Sequence, residues 1–262
     1  MRIFLLSAMT LWQRELVRFF RQRSRVVGAL GPPVLFWFLI GSGLGASFHL
    51  PGLPAEDLAG TSYLQYFFPG TIALIVLFTA IFSTISIIED RHEGFLQSVL
   101  VAPSPRGSLV LGKIAGGTTL AFLQAVVFLC FAPLVGMTVR PLSVVFLLAV
   151  LLLVSFGLTG LGFFLAWQLD STQGFHAIMN LFLIPMWLLS GALFPLSGAP
   201  FWLRWVMRIN PLTYSVSALQ TSFLVHGHPL APGAAGPGAC LAVTAVFGAL
   251  MFAISAAITQ KS

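Results

Sequence analysis

Residues 66–94 read YFFPGTIALIVLFTAIFSTISIIEDRHEG, and the contrast within that stretch decides the fold. From Tyr66 to Ile88 no side chain carries a formal charge; at Glu89 the chain changes abruptly to Glu-Asp-Arg-His-Glu and then reaches Gly94. About 20 helical residues, at a rise of about 1.5 Å each, cross the hydrocarbon of a bilayer. The run is continuous rather than alternating, so it reads as a membrane-spanning helix and not as a barrel strand. The charged turn after it is where the helix leaves the lipid.

The composition of the 262 residues extends this reading to the whole chain. Hydrophobic residues make up 58% and charged residues 8%, with a mean hydropathy of +0.97. Soluble domains carry roughly 25% charged residues, so this chain has too few to cover a water-facing surface. The net charge is +6, but the cations flank the apolar runs. That pattern points to membrane topology and anionic lipid, not to nucleic acid. Cys130 and Cys240 both fall in apolar stretches and offer no disulfide framework or thiolate metal site. The arginines at the start continue to Arg25, and Pro32 and Pro33 follow, which does not read as a cleaved signal peptide.

Six stretches have spanning length: Val26–Ala46, Tyr66–Ile88, Ile114–Val135, Leu142–Trp167, Phe175–Phe194 and Ala239–Ile258. Arg2, Arg14, Arg18, Arg21, Arg23, Arg25, Arg91, Arg106, Lys113 and Lys261 fall on one side. Arg140, Arg204 and Arg208 fall on the other. The cation bias predicts that both termini are cytoplasmic. Within residues 1–25, Leu5, Met9, Trp12, Leu16 and Phe19 share a sector of about 80° on a helical wheel. Arg14, Arg18, Arg21 and Arg25 lie opposite them, while Arg23 breaks the pattern. This segment is expected to be an amphipathic helix lying along the membrane surface.

Residues 195–238 follow another rule. Phe201-Trp202-Leu203-Arg204-Trp205 is aromatic and basic, as at a membrane interface, and Leu212–Val225 is too short to span. A pair of short helices dipping into the outer leaflet is expected, broken at Pro200 and at Asn210-Pro211. His226, His228 and the Gly/Pro-rich run after them read as an open outer loop, and two histidines alone are weak grounds for a metal site.

Catalytic signatures are scarce. No Gly-x-x-x-x-Gly-Lys-[Ser/Thr] loop, His-Glu-x-x-His or Gly-x-Ser-x-Gly is present. By this placement no acidic or basic residue falls near the middle of a span, which argues against proton coupling. Gln124 and Asn180 are the main polar side chains inside the spans. Sodium coupling through backbone carbonyls stays open; without it, energy for transport would come from another chain. Its contact is sought in residues 89–108: Glu89, Arg91 and Glu93 form a charged turn, and Gly94 supplies a bend. Phe95–Val101 then forms a short amphipathic helix, stopped by Pro103 and Pro105.

Several blocks in this order resemble the type-2 ABC export permeases: Phe68-Pro69-Gly70, Glu89 through Gly94, Val101-Ala102-Pro103 and Leu111-Gly112-Lys113. A second set follows in Pro185, Leu189-Ser190-Gly191-Ala192-Leu193-Phe194-Pro195, Pro200-Phe201-Trp202-Leu203 and Asn210-Pro211-Leu212-Thr213-Tyr214. The resemblance implies that Glu89, Arg91, Glu93, Gly94, Phe95 and Pro103 belong to a coupling helix that docks on a separate ABC ATPase. It further implies that the N-terminal helix lies against that ATPase. Gly191, Phe194, Pro195, Trp202, Asn210, Pro211 and Tyr214 would help to close an outer gate. The family pattern has Thr after the Gly and Glu two positions on; here Phe95 and Gln97 stand instead.

The expectation is thus an all-α integral membrane protein of one domain, residues 1–262. An amphipathic helix over 1–25 precedes a six-span unit over 26–258 and a cytoplasmic tail. The resemblance implies the permease subunit of an exporter in a bacterial inner membrane. Two copies, or one with a similar permease, would assemble with two ATPase subunits that carry the Mg-ATP, and the chain itself would hold no cofactor. Its pathway would be largely apolar and its substrate amphiphilic. Two alternatives stay open: a non-transporting scaffold subunit, and a lipid-acting enzyme using Glu89, Asp90, His92 and Glu93.

Overall fold

The computed structural model describes residues 2–43, 62–101, 105–225, 228–230 and 235–261. Its helices are α1 (Arg2–Arg21), α2 (Arg23–Gly43), α3 (Tyr63–His92), α4 (Phe95–Val101) and α5 (Arg106–Leu129). They continue with α6 (Pro141–Gln168), α7 (Thr172–Trp187), α8 (Phe201–Ile209), α9 (Pro211–Ser222) and α10 (Pro237–Lys261). Six helical segments, built on α2, α3, α5, α6, α7 and α10, are long and apolar enough to cross a membrane. The bounds follow the sequence closely, although Ala46, the expected end of the first span, lies outside the described residues.

The helix that decides the sequence reading is also the centre of the bundle. In α3, 89% of the most apolar window is buried, against 17% in α2 and in α10. It packs on α2, α5, α6, α7 and α9. Ser62 starts it with a reciprocal capping box, its Oγ accepting from the Gln65 N–H and the Gln65 side chain accepting from the Ser62 N–H. Phe67, Phe68, Ile72, Ile75 and Leu77 are fully enclosed. Close crossings elsewhere depend on glycine, as membrane helices generally require. Gly157 and Gly160 of α6 meet Phe247 and Met251 of α10, and the Ser255 hydroxyl donates to the Gly160 carbonyl at 3.2 Å.

Two expected spans end earlier than predicted, each for a local reason. The third gives way after Leu129 to a short 3-10 turn, Ala132–Val135, closed by Gly136 at φ +73°. The chain then enters a small antiparallel sheet of β1 (Thr138–Val139), β2 (Phe223–Val225) and β3 (His228–Pro229). Thr138 pairs with Leu224, and Leu224 with Pro229. Residues 228–229 are therefore paired strand where an open loop was expected; 226, 227 and 231–234 lie outside the described residues. The fifth span stays regular to Trp187 and then widens over Leu188–Ala192, with Leu189 and Gly191 out of helical geometry. Pro185 explains the timing, since it removes one N–H from the ladder just before the break.

The N-terminal helix is docked on the bundle, a contact that its helical wheel does not show. α1 packs along α5, burying Ala8, Leu11, Glu15 and Phe19. A Cβ on Gly112 would lie 2.7 Å from the Ala8 carbonyl oxygen, and one on Gly116 would lie 2.7 Å from Glu15 Cβ. The predicted apolar sector is divided by this docking: Phe19 is buried, Trp12 and Leu16 are half-buried, and Leu5 and Met9 are exposed. The helix has three faces, apolar outward, packed inward and basic between, whereas a two-face wheel supplies only two.

Gly116→Val should cost about 1–3 kcal/mol through overpacking at this crossing. Gly31→Ala in α2, where nothing lies within 4 Å, should be neutral or stabilising by up to about 1 kcal/mol. Thermal unfolding of the purified variants in detergent checks both.

Candidate functional site

The charged end of α3 is the densest polar region among the described residues, and α1 supplies three of its eight charged side chains. Asp90 is fully buried. Its carboxylate accepts two hydrogen bonds from Arg14, at 2.9 and 2.6 Å, and one from Arg18 at 2.5 Å. It also accepts from Lys113 Nζ. Lys113, likewise buried, donates to Glu15 at 2.6 Å and to Ser86 Oγ at 3.1 Å, while Ser86 Oγ donates to Glu15 at 2.6 Å. Glu89 takes Arg18 at 2.8 Å and Arg25, and Glu93 takes Arg18 at 3.1 Å. Glu15, Glu89, Asp90 and Glu93 thus face Arg14, Arg18, Arg25 and Lys113, four charges of each sign. Burial alone would lower the Arg14 pKa, but the hydrogen bond to Asp90 and the charges of Asp90, Glu15 and Glu93 raise it above its ordinary value. Arg14 therefore stays cationic.

From this cluster the chain turns through Gly94 at φ +75°, in the left-handed region that side chains with a Cβ rarely adopt. α4 begins at once. Phe95 lies beneath the Arg14 guanidinium, 3.8 Å from ring centroid to Cζ, a favourable cation–π distance. Leu96 is buried against the bundle, and Gln97, Ser98 and Val101 are exposed. The short helix is held at its base and free along one face. Pro103 lies outside the described residues, and Pro105 precedes α5 in extended geometry.

Two more arginines of this segment close helix ends. Arg91 donates to the Trp167 and Leu169 carbonyls at 2.6 and 3.0 Å and to Asp170 at 2.7 Å, so it caps α6. Arg106 donates to the Thr259 and Gln260 carbonyls at 3.0 and 3.1 Å, so it caps α10. Cations at helix C-termini satisfy orphan carbonyls and oppose the negative end of the helix dipole. The elbow is thereby tied to α1, α2, α5, α6 and α10.

The opposite end of the bundle is organised by the break in α7. Freed carbonyls there find donors from neighbouring helices. Gly191, at φ +84°, accepts from Tyr66 at 2.9 Å and Gln220 at 3.1 Å. Leu193 accepts from Tyr63 at 2.9 Å, Met186 from Asn210 at 2.6 Å and Leu189 from Thr213 at 3.3 Å. Asn210 also caps α9, its Oδ1 accepting from the Leu212 N–H at 3.0 Å, and Pro211 opens that helix. Tyr214 donates to the Arg208 carbonyl at 2.9 Å. Phe194 and Pro195 are half-buried, whereas Trp202 lies on the exposed aromatic face of α8 with Phe201 and Trp205. Gly191, Asn210 and Pro211 are gathered at the break; Trp202 stands apart from it.

The sequence blocks and the bundle now point the same way: a buried central span, a clamped elbow with a short free helix, and a broken span near a pair of short helices. Residues 7–224 match the ABC-2 type transporter family. The chain belongs to that family. This ABC-2 permease is a multi-pass membrane protein and a transport component. It is 27% identical over 242 residues to nodulation protein J of Sinorhizobium fredii, covering 91% of this chain and 86% of that protein. It is 27% identical over 239 residues to the inner membrane transport permease YadH of Escherichia coli K12, covering 86% and 85%. The putative transport permease ycf38 of Cyanophora paradoxa is 27% identical over 219 residues, covering 83% of this chain and 74% of that protein.

Sequence reasoning on the permease singled out Glu89, Arg91, Glu93, Gly94 and Phe95, all of which fall in or beside the clamp. It gave Glu15 no role, read Lys113 as a flanking cation and part of a family block, and read Asp90 as part of the charged turn and a candidate acid, not as a buried centre that joins them. A sequence signal for the clamp exists in hindsight: Glu15 is the sole acid among the early arginines, and Gly112 and Gly116 flank Lys113 with the spacing of a helix-crossing seam.

Asp90→Ala should destabilise the permease by about 3–5 kcal/mol, because it removes the buried acid that three cations share and leaves four cations, buried Lys113 among them, facing three remaining acids. Glu93→Ala, on the solvent side of the cluster, should cost under about 1 kcal/mol. Thermal unfolding and elution profile in detergent measure the difference.

Proposed function

We propose that this chain is the membrane half of an ATP-driven exporter, coupled to separate ATPase subunits through the Gly94 elbow and α4. The single observation that carries the reading is the Asp90 cluster. It fixes the base of α4 to α1, α3 and α5 while leaving Gln97, Ser98 and Val101 exposed. A helix that is rigid at its root and open on one face can transmit a push into the bundle. A lipid-acting enzyme fits the same residues less well, since Glu89, Asp90 and Glu93 are all engaged by cations.

In this reading the elbow is cytoplasmic, as are both termini, and the membrane is a bacterial inner membrane. The cation bias of the sequence and the likeness to an inner membrane transport permease support that placement. Two permease copies, this chain with itself or with a similar one, enclose the pathway above two ATPase subunits that bind Mg-ATP. ATP binding presses the two elbows together, and the bundles rock as rigid bodies. α8 and α9 lie in the outer leaflet near the mouth, where the exposed Phe201, Trp202 and Trp205 suit an interfacial position. The amphiphilic character of the cargo rests on the apolar makeup of the spans.

Gly94→Pro and Val101→Asp test the coupling. Pro is confined to negative φ and cannot occupy the elbow, while Val101 is 87% exposed, so its replacement leaves the core intact. Both variants should fold and reach the membrane, yet lose either the bound ATPase subunit or cargo-stimulated ATP hydrolysis. Unchanged binding and stimulation in both would place the contact elsewhere.

A further inference from the structure

α1 and α2 meet at a corner that carries charge the Asp90 cluster does not use. Gln22 forms the corner: its N–H donates to the Arg18 and Phe19 carbonyls at 3.3 and 3.2 Å, and its carbonyl accepts from the Arg25 N–H at 2.9 Å. The cluster itself balances, four cations against four acids. Arg21 and Arg23 flank Gln22 and stand outside that balance. Both are exposed, and neither has an ion-pair or hydrogen-bond partner among the described residues.

Arg21 does not simply point into open surroundings. With Arg14, Val17, Arg18, Gln22 and Glu93 it lines a polar cavity of about 570 Å³ beside the Gly94 elbow. Arg18, on the cavity wall, reaches Glu89 and Glu93 at 2.8 and 3.1 Å. The cavity therefore lies at the level where α3 changes from apolar to charged residues and leaves the hydrocarbon. Its surroundings are partly apolar, since Val17, Phe20 and Val27 are all exposed. Three guanidinium groups around one space suit an anion with several oxygens, because each presents a planar fork of donors that matches phosphate. Exposed apolar side chains beside them suit an anion with an apolar part.

We infer that this cavity is a head-group site for an anionic glycerophospholipid of the adjacent leaflet. The lipid phosphate pairs with Arg21 and shares Arg18 with Glu93, and the acyl chains lie over Val17, Phe20 and Val27. The inference needs only the membrane placement of the chain and is independent of the exporter reading. An acidic segment of a partner protein fits the corner less well, because it would leave those three apolar side chains uncovered. Occupancy has a consequence for the elbow. Arg18 holds Glu89, Asp90 and Glu93 at once, and Glu93, directly before Gly94, is the most exposed of the three. A bound phosphate competes first with that outer contact and leaves the buried links to Asp90 in place. The lipid thus adjusts the root of α4 without disturbing the core.

The test titrates the purified full-length chain, in a neutral detergent, with dioleoyl phosphatidylglycerol or dioleoyl phosphatidylcholine and counts bound lipid by native mass spectrometry. Phosphatidylglycerol should bind as one tight molecule per chain, and phosphatidylcholine should not displace it. Arg21→Gln should weaken that binding about fivefold, the loss expected for one cation at a membrane surface. Arg23→Gln removes the same charge from outside the cavity and should leave binding nearly unchanged. Both side chains are exposed and unpaired, so the variants keep the fold, which their elution profile confirms. Equal losses from the two variants, or no loss from Arg21→Gln, overturn the site in favour of a diffuse surface charge. Displacement by free glycerol 3-phosphate at the same concentration overturns the lipid assignment in favour of a soluble anion. The titration is repeated on the chain with whatever subunit copurifies, and binding seen only in that subunit's absence gives the cavity to the partner protein instead. A chain that copurifies alone is still titrated, so failure of the exporter reading leaves the lipid result intact.

Discussion

Asp90 gathers three cations, Arg14, Arg18 and Lys113, from two helices other than its own, and it does so with no exposure to solvent. A buried carboxylate is tolerable only when it is fully paired, so α1 and α5 have to sit where their cations reach it. The docking of α1, the seat of Phe95 under Arg14 and the turn at Gly94 all depend on that requirement. The cluster adds specificity of placement more than net stability. Its neutral balance matters as well, because surplus charge of either sign would leave an ion unpaired at the end of a membrane helix.

The same constraint acts on the backbone at the opposite end. Where α7 breaks, four carbonyls are met by side chains from outside the segment: Tyr66, Tyr63, Asn210, Thr213 and Gln220 serve Gly191, Leu193, Met186 and Leu189. Lipid supplies no substitute donors, so irregular backbone persists only where protein supplies them. The two ends are alike in logic. At one, side-chain charges tie an elbow to five helices; at the other, neutral donors tie a broken span to α3 and α9. Between them α3 runs buried along its length and connects the two by direct packing.

What could be read from residues alone follows the range of the interactions involved. Spans were legible because hydropathy is a local property, and so was the α4 elbow, since Gly94 and Pro105 act on their immediate neighbours. The short helices bounded by Pro200 and Asn210-Pro211 were legible for the same reason. The docked position of α1 was not. A helical wheel ranks faces by polarity and cannot separate an apolar face that meets Gly112 and Gly116 from one that meets lipid. Lys113 and Glu15 are 98 positions apart, and Arg106 reaches carbonyls 153 and 154 positions away. Such pairs leave no periodicity. The break at Leu188–Ala192 was only half-visible: Pro185 and Gly191 hinted at it, but its stability depends on donors from distant helices.

The central claim is that the clamped elbow exists to meet an ATPase. The most direct measurement is extraction of the wild-type chain in mild detergent, followed by identification of what stays bound and an ATP hydrolysis assay on the complex. A subunit of nucleotide-binding size in one-to-one ratio with the permease, hydrolysing ATP and cross-linking to a photoreactive residue at Ser98, is the predicted result. An intact permease oligomer that retains no such subunit, under conditions that hold comparable membrane complexes together, would contradict the account.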